Sequence, residues 1–219
     1  MTRKVVTRAP HREVGIVNAG WLLDHPVQHE SHLERRFIIA ALSCPVVCDI
    51  QHQPFTLQLS EAGAAGKYTP DFLITFRDAT KLVVEVKPKA YLKRHEAKLL
   101  AAEQMLNAEG QRFFIATDAL IDGIGLSARA MLLMRYGRMH CSEIEMQETL
   151  HAFLRAGRTS ASVQELIDKG LPEDIVWCHV ARHQCRVPPD FQIDPTQTIT
   201  FTPYIGDCHD YFRSWFGAA

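Results

Sequence analysis

The chain lacks three patterns that would place it in other classes of protein. None of its six cysteines is spaced as C-x-x-C, the pair used by many zinc and redox motifs. No apolar run approaches the roughly 20 residues that a membrane-spanning helix needs. The opening stretch "MTRKVVTRAPHR" has no apolar segment of the kind found in signal peptides. We therefore expect a cytoplasmic protein with free thiols and no membrane partner.

An excess of positive charge is also missing. Lysine and arginine together number 24 against 25 acidic residues, and the formal net charge is −1. A protein that holds DNA by non-specific charge alone is usually more basic, so any basic surface must be local. One candidate is an N-terminal arm, which carries four cations and no acid: Arg3, Lys4, Arg8 and Arg12. A solvated chain end accounts for these residues equally well.

The patterns that are present predict an α/β core with a mixed sheet. Residues 24–44 have the apolar spacing of a helix, and residues 46–59 read as extended structure broken near Pro54. "YTPDFLITF" and "KLVVEVK", joined by "RDAT", predict a hairpin. A helix ending at Gly110 and a buried strand, "RFFIAT", complete the core.

The composition changes near residue 141, where a second unit is predicted. Three helical segments are expected, starting with "CSEIEMQETLHAFLRAG", in which Ser142 and Glu145 form a capping box. "FQIDPTQTITFTPY" would then supply two short strands. This order predicts a small winged-helix-like α+β module, so we divide the chain into residues 1–140 and 141–219. The third helix has an acidic first turn, which favours protein docking over reading a DNA groove.

Three charged residues stand in or beside the predicted buried strands. Because side chains alternate along a strand, Glu85 and Lys87 share one face, and the hairpin brings Asp71 towards them. Two neighbouring carboxylates repel each other, and a divalent cation such as Mg²⁺ removes that repulsion. A cross-strand salt bridge on a solvated edge is the alternative. The apolar flanks "DFLITF" and "LVVEV" favour a buried functional site, since unpaired charge is costly there.

"PD", thirteen residues and then "EVK" match the PD-(D/E)xK nuclease signature. With "ESHLERRFI", "QHQPFTL", "YTPDFLI" and "VVEVKPK" in that order, residues 25 to 120 resemble the TnsA family, the endonuclease subunit of heteromeric transposases. The resemblance implies a restriction-endonuclease-like mixed sheet flanked by helices. It also implies Mg²⁺ as cofactor, with Mn²⁺ as a substitute.

The resemblance assigns a role to each residue of the proposed centre. The catalytic set is Glu34, Asp71, Glu85 and Lys87, and the metal ligands are Asp71, Glu85, Glu34 and the backbone carbonyl of Val86. Glu34 has a structural alternative, because Ser31 and Glu34 fit the capping-box pattern S-x-x-E. Asp24 and Pro26 also signal a helix start, and a helix beginning there would place Glu34 in its middle.

Four further residues are expected to contact DNA: Gln53, Lys89, Lys93 and Arg94. Ordinary polarity of an edge strand is the alternative for Gln53, and a solvated helix face is the alternative for the cations. Cys178, His179, His183 and Cys185 are crowded on one short helical segment, a spacing that disfavours a tetrahedral zinc site.

The resemblance implies a bacterial, nucleoid-associated enzyme that cuts the 5′-end strand at transposon ends. Its expected partners are DNA, a TnsB-like DDE transposase that cuts the other strand, and a TnsC-like AAA+ ATPase bound through the C-terminal domain. Two alternatives stay open: a stand-alone restriction or junction-resolving nuclease, and an inactive scaffold between transposase and ATPase. The sequence does not indicate the target-selection route or the oligomeric state.

Overall fold

A computed structural model describes residues 14–59, 65–141 and 143–218. The predicted N-terminal arm and Ser142 therefore lie outside the described residues. The strands are β1 Gly15–Val17, β2 Val27–His29, β3 Val47–His52, β4 Leu57–Leu59, β5 Gly66–Tyr68, β6 Phe72–Phe76, β7 Lys81–Val86, β8 Arg112–Ala116, β9 Ser160–Ser162 and β10 Thr198–Thr200. The helices are α1 His32–Leu42, α2 Leu92–Ala108, α3 Asp118–Asp122, α4 Leu126–Gly137, α5 Glu143–Arg155, α6 Val163–Asp168, α7 Glu173–Ala181 and α8 Cys208–Trp215.

The central sheet has four strands in the order β3-β6-β7-β8. β6 pairs antiparallel with both β3 and β7, whereas β8 runs parallel to β7. The parallel step is possible because α2 carries the chain back along the sheet between β7 and β8. The predicted mixed α/β sheet is confirmed, and its arrangement agrees with a restriction-endonuclease-like fold.

Both faces of this sheet are covered. The face that includes Phe72 and Val84 packs against α1, α4 and the C-terminal α8 in the larger core. The opposite face, which includes Leu73 and Val83, packs against α2 and the β4–β5 hairpin. Apolar residues therefore occupy both sides of β6 and β7, as the runs "DFLITF" and "LVVEV" predict.

The helix predicted over residues 24–44 is shorter than expected. Residues 27–29 form β2, and α1 begins only at His32, with Ser31 as its N-cap. The Ser31 hydroxyl accepts a hydrogen bond from the Glu34 amide, and this local bond outweighs the start signals at Asp24 and Pro26. Glu34 therefore lies in the first turn of α1, and a mid-helix position for it is wrong.

The region after residue 141 contains α5, α6 and α7, as the helical patterns predict. Its strand β10 pairs with β9, which precedes α6, so the two strands do not form a ribbon of their own. The segment ends in α8, whose Phe212 and Trp215 join the same core as the sheet residues. The winged-helix identity and the division at residue 140 stay predictions.

The remaining general features concern membranes and thiols. Within the described ranges, none of the helices is both long enough and apolar enough to cross a membrane. All six cysteines are free thiols, and all but Cys48 are buried.

Candidate active site

The β6–β7 hairpin sets Asp71 opposite Glu85. Phe72 pairs with Val84 in this register, so the next position outward aligns Asp71 with Glu85. The Val86 amide donates a hydrogen bond to Asp71 Oδ2 at 2.7 Å. On the other side of β6, the backbone amide of Gln53 donates a hydrogen bond to the backbone carbonyl of Asp71 at 2.8 Å. Asp71 is therefore fixed between β3 and β7, and the predicted convergence of the two carboxylates is present.

Glu85 is buried, and both of its carboxylate oxygens are hydrogen-bonded. The Lys87 ammonium group donates to Oε1 at 2.5 Å, which is the contact that strand alternation predicts. The Tyr68 hydroxyl donates to Oε2 at 2.8 Å from the end of β5. Burial raises the pKa of Tyr68, and the neighbouring Glu85 charge adds to the rise, so this phenol stays protonated and acts as a donor.

The acids lie close enough together that the charge of one raises the pKa of another. Burial raises the pKa of Asp71 well above its usual range, and the Glu85 and Glu34 charges raise it further. The Val86 amide and the Lys87 charge oppose that rise without cancelling it. Asp71 thus interacts with two other acids and one lysine, and the site has a local excess of acidic groups.

Glu34 reaches this region from the first turn of α1, three residues after the N-cap Ser31. Its Oε1 accepts a hydrogen bond from the Ser31 hydroxyl at 2.9 Å, and its Oε2 accepts one from the Glu30 amide at 2.7 Å. Burial raises the pKa of Glu34, with smaller increases from the Glu30 and Glu85 charges. The carboxylate therefore faces the helix cap while still interacting electrostatically with the other two acids.

The donor chemistry fits a divalent cation, although the side chains do not form a complete cage. Over the residues that the structure describes, no three His, Cys, Asp or Glu side chains are grouped as a metal site. Asp71 and Glu85 nevertheless offer hard oxygen atoms, and their repulsion is of the kind that a cation relieves. Asp71 and Glu85 are therefore the side chains suited to hold Mg²⁺ or Mn²⁺, and the Val86 carbonyl and Glu34 stay predicted ligands.

A family model described as TnsA-like endonuclease N terminal matches residues 44–118. This segment is therefore similar to the N-terminal domain of TnsA-like endonucleases. A search among curated proteins finds no match to the chain. The matched segment contains Asp71, Glu85, Val86 and Lys87, whereas Glu34 precedes it. This similarity of one segment supports a transposon-associated nuclease.

The residues predicted to contact DNA flank the acidic cluster along the chain. Lys89 lies in a short 3₁₀ turn, and Lys93 and Arg94 lie in the first turn of α2; all three are exposed. Gln53 has a φ of 44°, a left-handed conformation that is uncommon for a residue with a side chain. Its side chain donates to Glu30 Oε1 at 3.2 Å. DNA contact by these four residues stays a prediction.

The Cys/His group near α7 makes contacts in different directions. The Cys178 thiol donates to the Met139 carbonyl, His179 contacts Gln184, and His183 Nε2 donates to the Leu42 carbonyl at 2.9 Å. Cys185 is buried. Each contact is explained by packing, so no function is assigned to this group.

Two neighbours of the acids, Tyr68 and His52, are not among the predicted site residues. Among the residues that the structure describes, His52 Nε2 has no hydrogen-bond partner; it is buried and lies 3.9 Å from Glu34 Oε2. Burial lowers the pKa of His52, which keeps its ring neutral. The only signal for Tyr68 was its place three residues before Asp71, and that spacing does not predict a contact with Glu85.

Proposed function

We propose that the chain is the Mg²⁺-dependent endonuclease subunit of a heteromeric cut-and-paste transposase. It would hydrolyse the 5′-end strand at each transposon end, leaving a 3′-hydroxyl and a 5′-phosphate. The observation that carries this proposal is the hairpin register that sets Asp71 opposite Glu85, with Lys87 bonded to the same carboxylate, inside a TnsA-like endonuclease domain. The neighbouring Glu34 is proposed as a fourth member of the centre.

The chemistry required is the attack of water on phosphorus and the rupture of the bond to the 3′ oxygen. Bound Mg²⁺ would stabilise charge on the phosphate and make water more acidic. Asp71, Glu85 and the Val86 carbonyl would hold the cation. The Lys87 ammonium group would lie beside the reacting phosphate, where its positive charge stabilises the charge that develops on the phosphoryl oxygens.

The low net charge of the chain supports a dependence on partner proteins for DNA binding. The formal net charge of −1 gives the chain little non-specific affinity for DNA, so it would stay idle until a complex recruits it. Gln53, Lys89, Lys93 and Arg94 would then contact the strand close to the cut. We propose a TnsB-like DDE transposase as the protein that recognises the ends and cuts the other strand.

The surface of α5 supports a protein partner for the C-terminal region. Ile144 is 71% exposed, and a groove of about 510 Å³ along the same helix is lined by Thr149, Ala152 and Phe153. The first turn of α7 adds two exposed acids, Glu173 and Asp174. The groove is also lined by Glu148, Arg158 and Lys169, so its apolar surface lies among charges of both signs, as in the polar rim of a protein interface. We propose a TnsC-like AAA+ ATPase as this partner.

An excision assay tests the proposal. Transposon ends carrying a label on one strand at a time are incubated with the wild-type chain, the partner transposase and ATPase, and Mg²⁺. Asp71→Ala and Lys87→Ala should abolish the 5′-end cut while the other strand is still cut. Lys81→Ala, an exposed lysine at the far end of β7, is the matched control and should behave as wild type.

Two results would reject the proposal. If both site variants still give double-strand excision, the assignment of these residues is wrong. If the purified chain cuts a specific DNA sequence without partners, a stand-alone nuclease is the correct function.

A further inference from the structure

Tyr68 connects the β4–β5 hairpin to the acidic centre. It is the last residue of β5, where it pairs with Leu57, and Thr69 and Pro70 then lead directly to Asp71. Its side chain is 4% exposed and packs in the smaller core beside Val83. Its hydroxyl donates a hydrogen bond to Glu85 Oε2 at 2.8 Å.

The position of the Glu85 carboxylate is set by two donors on two different elements. Lys87 lies two residues along the same strand and holds Oε1, whereas Tyr68 holds Oε2 from the other hairpin. The lysine ammonium group sits on a flexible four-carbon chain, so it restricts the orientation of the carboxylate only weakly. The tyrosine ring, in contrast, is fixed by packing in the core. Lys98 of α2 adds a cation over the Tyr68 ring, 5.9 Å from its centroid.

Each Glu85 oxygen retains a further lone pair after accepting these bonds. A carboxylate that accepts a bond from a rigid donor keeps one orientation, which lowers the cost of ordering it around a ligand. The tyrosine can therefore restrict the rotation of Glu85 without occupying the coordination capacity of its oxygens.

We propose that Tyr68 is a positioning residue of the nuclease centre, whose hydroxyl orients the Glu85 carboxylate for a divalent cation and acts only through Glu85. This inference rests on the proposed function, because it requires that Glu85 bind a cation.

The test is a double-mutant cycle on metal affinity, measured with Mn²⁺ alone on the uncut full chain by electron paramagnetic resonance titration. Tyr68→Phe removes one oxygen and retains the ring and its packing. We expect it to weaken Mn²⁺ binding by about 10- to 100-fold, the usual cost of losing a group that orients a metal ligand. In the Glu85→Gln background, Tyr68→Phe should weaken the residual binding no further.

Tyr211→Phe is the matched control. Tyr211 is also largely removed from solvent, and its hydroxyl donates to the Val187 carbonyl at 2.9 Å in the other core. This variant should leave Mn²⁺ affinity unchanged. As a second readout, Tyr68→Phe should lower kcat for the 5′-strand cut by a similar factor and leave KM for DNA unchanged, whereas a general loss of structure would change both.

Three outcomes would overturn the inference. An unchanged Mn²⁺ affinity in Tyr68→Phe would show that the hydroxyl does not orient the ligand. An equal loss in the wild-type and Glu85→Gln backgrounds would show that Tyr68 acts on structure generally. Absence of Mn²⁺ binding by the wild-type chain would reject the proposed metal function as well, and so differs from the first two results.

Discussion

At the scale of single residues, Glu34 has two roles to reconcile. Its carboxylate accepts hydrogen bonds from the Ser31 hydroxyl and the Glu30 backbone amide at the start of α1, yet it is buried and raises the pKa of Asp71. If the Glu34 carboxylate served only the start of α1, burial beside Asp71 and Glu85 would be unfavourable, because each of these acids repels its negative charge. We therefore retain Glu34 in the proposed centre, where metal binding would have to compete with the cap.

Glu34→Gln separates the two roles. Glutamine retains one acceptor oxygen for these two donors at the start of α1, so the free energy of unfolding should change by about 1 kcal/mol or less. Cleavage of the 5′-end strand should fall by more than about 100-fold, because the amide lacks the negative charge that a cation requires. Urea unfolding and the excision assay measure the two effects. Wild-type cleavage by this variant would assign Glu34 to the cap alone.

The sequence predicted the contacts that depend on neighbours along one strand or one hairpin. Glu85 and Lys87 share a face because alternation requires it, and Asp71 follows from a short connection between β6 and β7. Tyr68 and His52 could not be predicted in the same way. Their contacts depend on how the β4–β5 hairpin and α1 pack on the sheet, and no local pattern encodes that packing.

At the scale of elements, the β6–β7 hairpin fixes the register on which the site depends. The Phe76 amide donates to the Thr80 carbonyl, and Ala79 takes a φ of 64° between them. A three-residue loop commonly ends in such a left-handed residue, where glycine is favoured. Alanine at this position therefore stores strain in the turn that aligns Asp71 with Glu85.

Ala79→Gly should stabilise the protein. Relief of the left-handed strain yields about 1–2 kcal/mol, and the greater freedom of glycine in the unfolded chain offsets about 0.4–1 kcal/mol of it. A net gain of about 0.5–1 kcal/mol should appear as a higher urea midpoint with unchanged cleavage. The control is Ala97→Gly, at an exposed interior position of α2, which should instead destabilise by about 1 kcal/mol. Destabilisation by Ala79→Gly would contradict the strained turn.

Element boundaries were less predictable than element types. The hairpin, α2 and β8 were predicted because each has a strong pattern and a turn or cap signal. The helix expected from residue 24 was too long because apolar spacing continues through β2, and the Ser31 cap alone decides the boundary. Nothing in the composition indicated α8, whose packing against the sheet depends on residues far away in sequence.

At the scale of the whole molecule, the C-terminal region is anchored to α1 as well as to the sheet. His183 Nε2 donates to the Leu42 carbonyl, and Trp215 Nε1 donates to Ser43 Oγ at 3.1 Å. Burial lowers the pKa of His183 to about 4, and the nearby Arg77 charge adds to this effect. A neutral histidine is thus required where the two regions meet.

This anchor predicts acid sensitivity. The unfolded chain binds a proton at His183 near pH 6.5, whereas the folded chain binds it only near pH 4, so stability falls as the pH falls between these values. His183 should account for a loss of about 2 kcal/mol between pH 7 and pH 5. Urea midpoints at both pH values measure it. His183→Asn, which tolerates the φ of 59° at this position, should lose that part of the pH dependence. An unchanged dependence would show that His183 is not the group responsible.

The central claim is that Asp71, Glu85 and Lys87 form one hydrolytic centre, and a single-turnover cleavage rate tests it most directly. The measurement follows the 5′-end strand of a labelled transposon end with saturating partner proteins and Mg²⁺. Asp71→Asn, Glu85→Gln and Lys87→Met should each lower the rate by at least about 10³-fold, and Tyr211→Phe should retain it. A rate within tenfold of wild type for any of the three would contradict the claim.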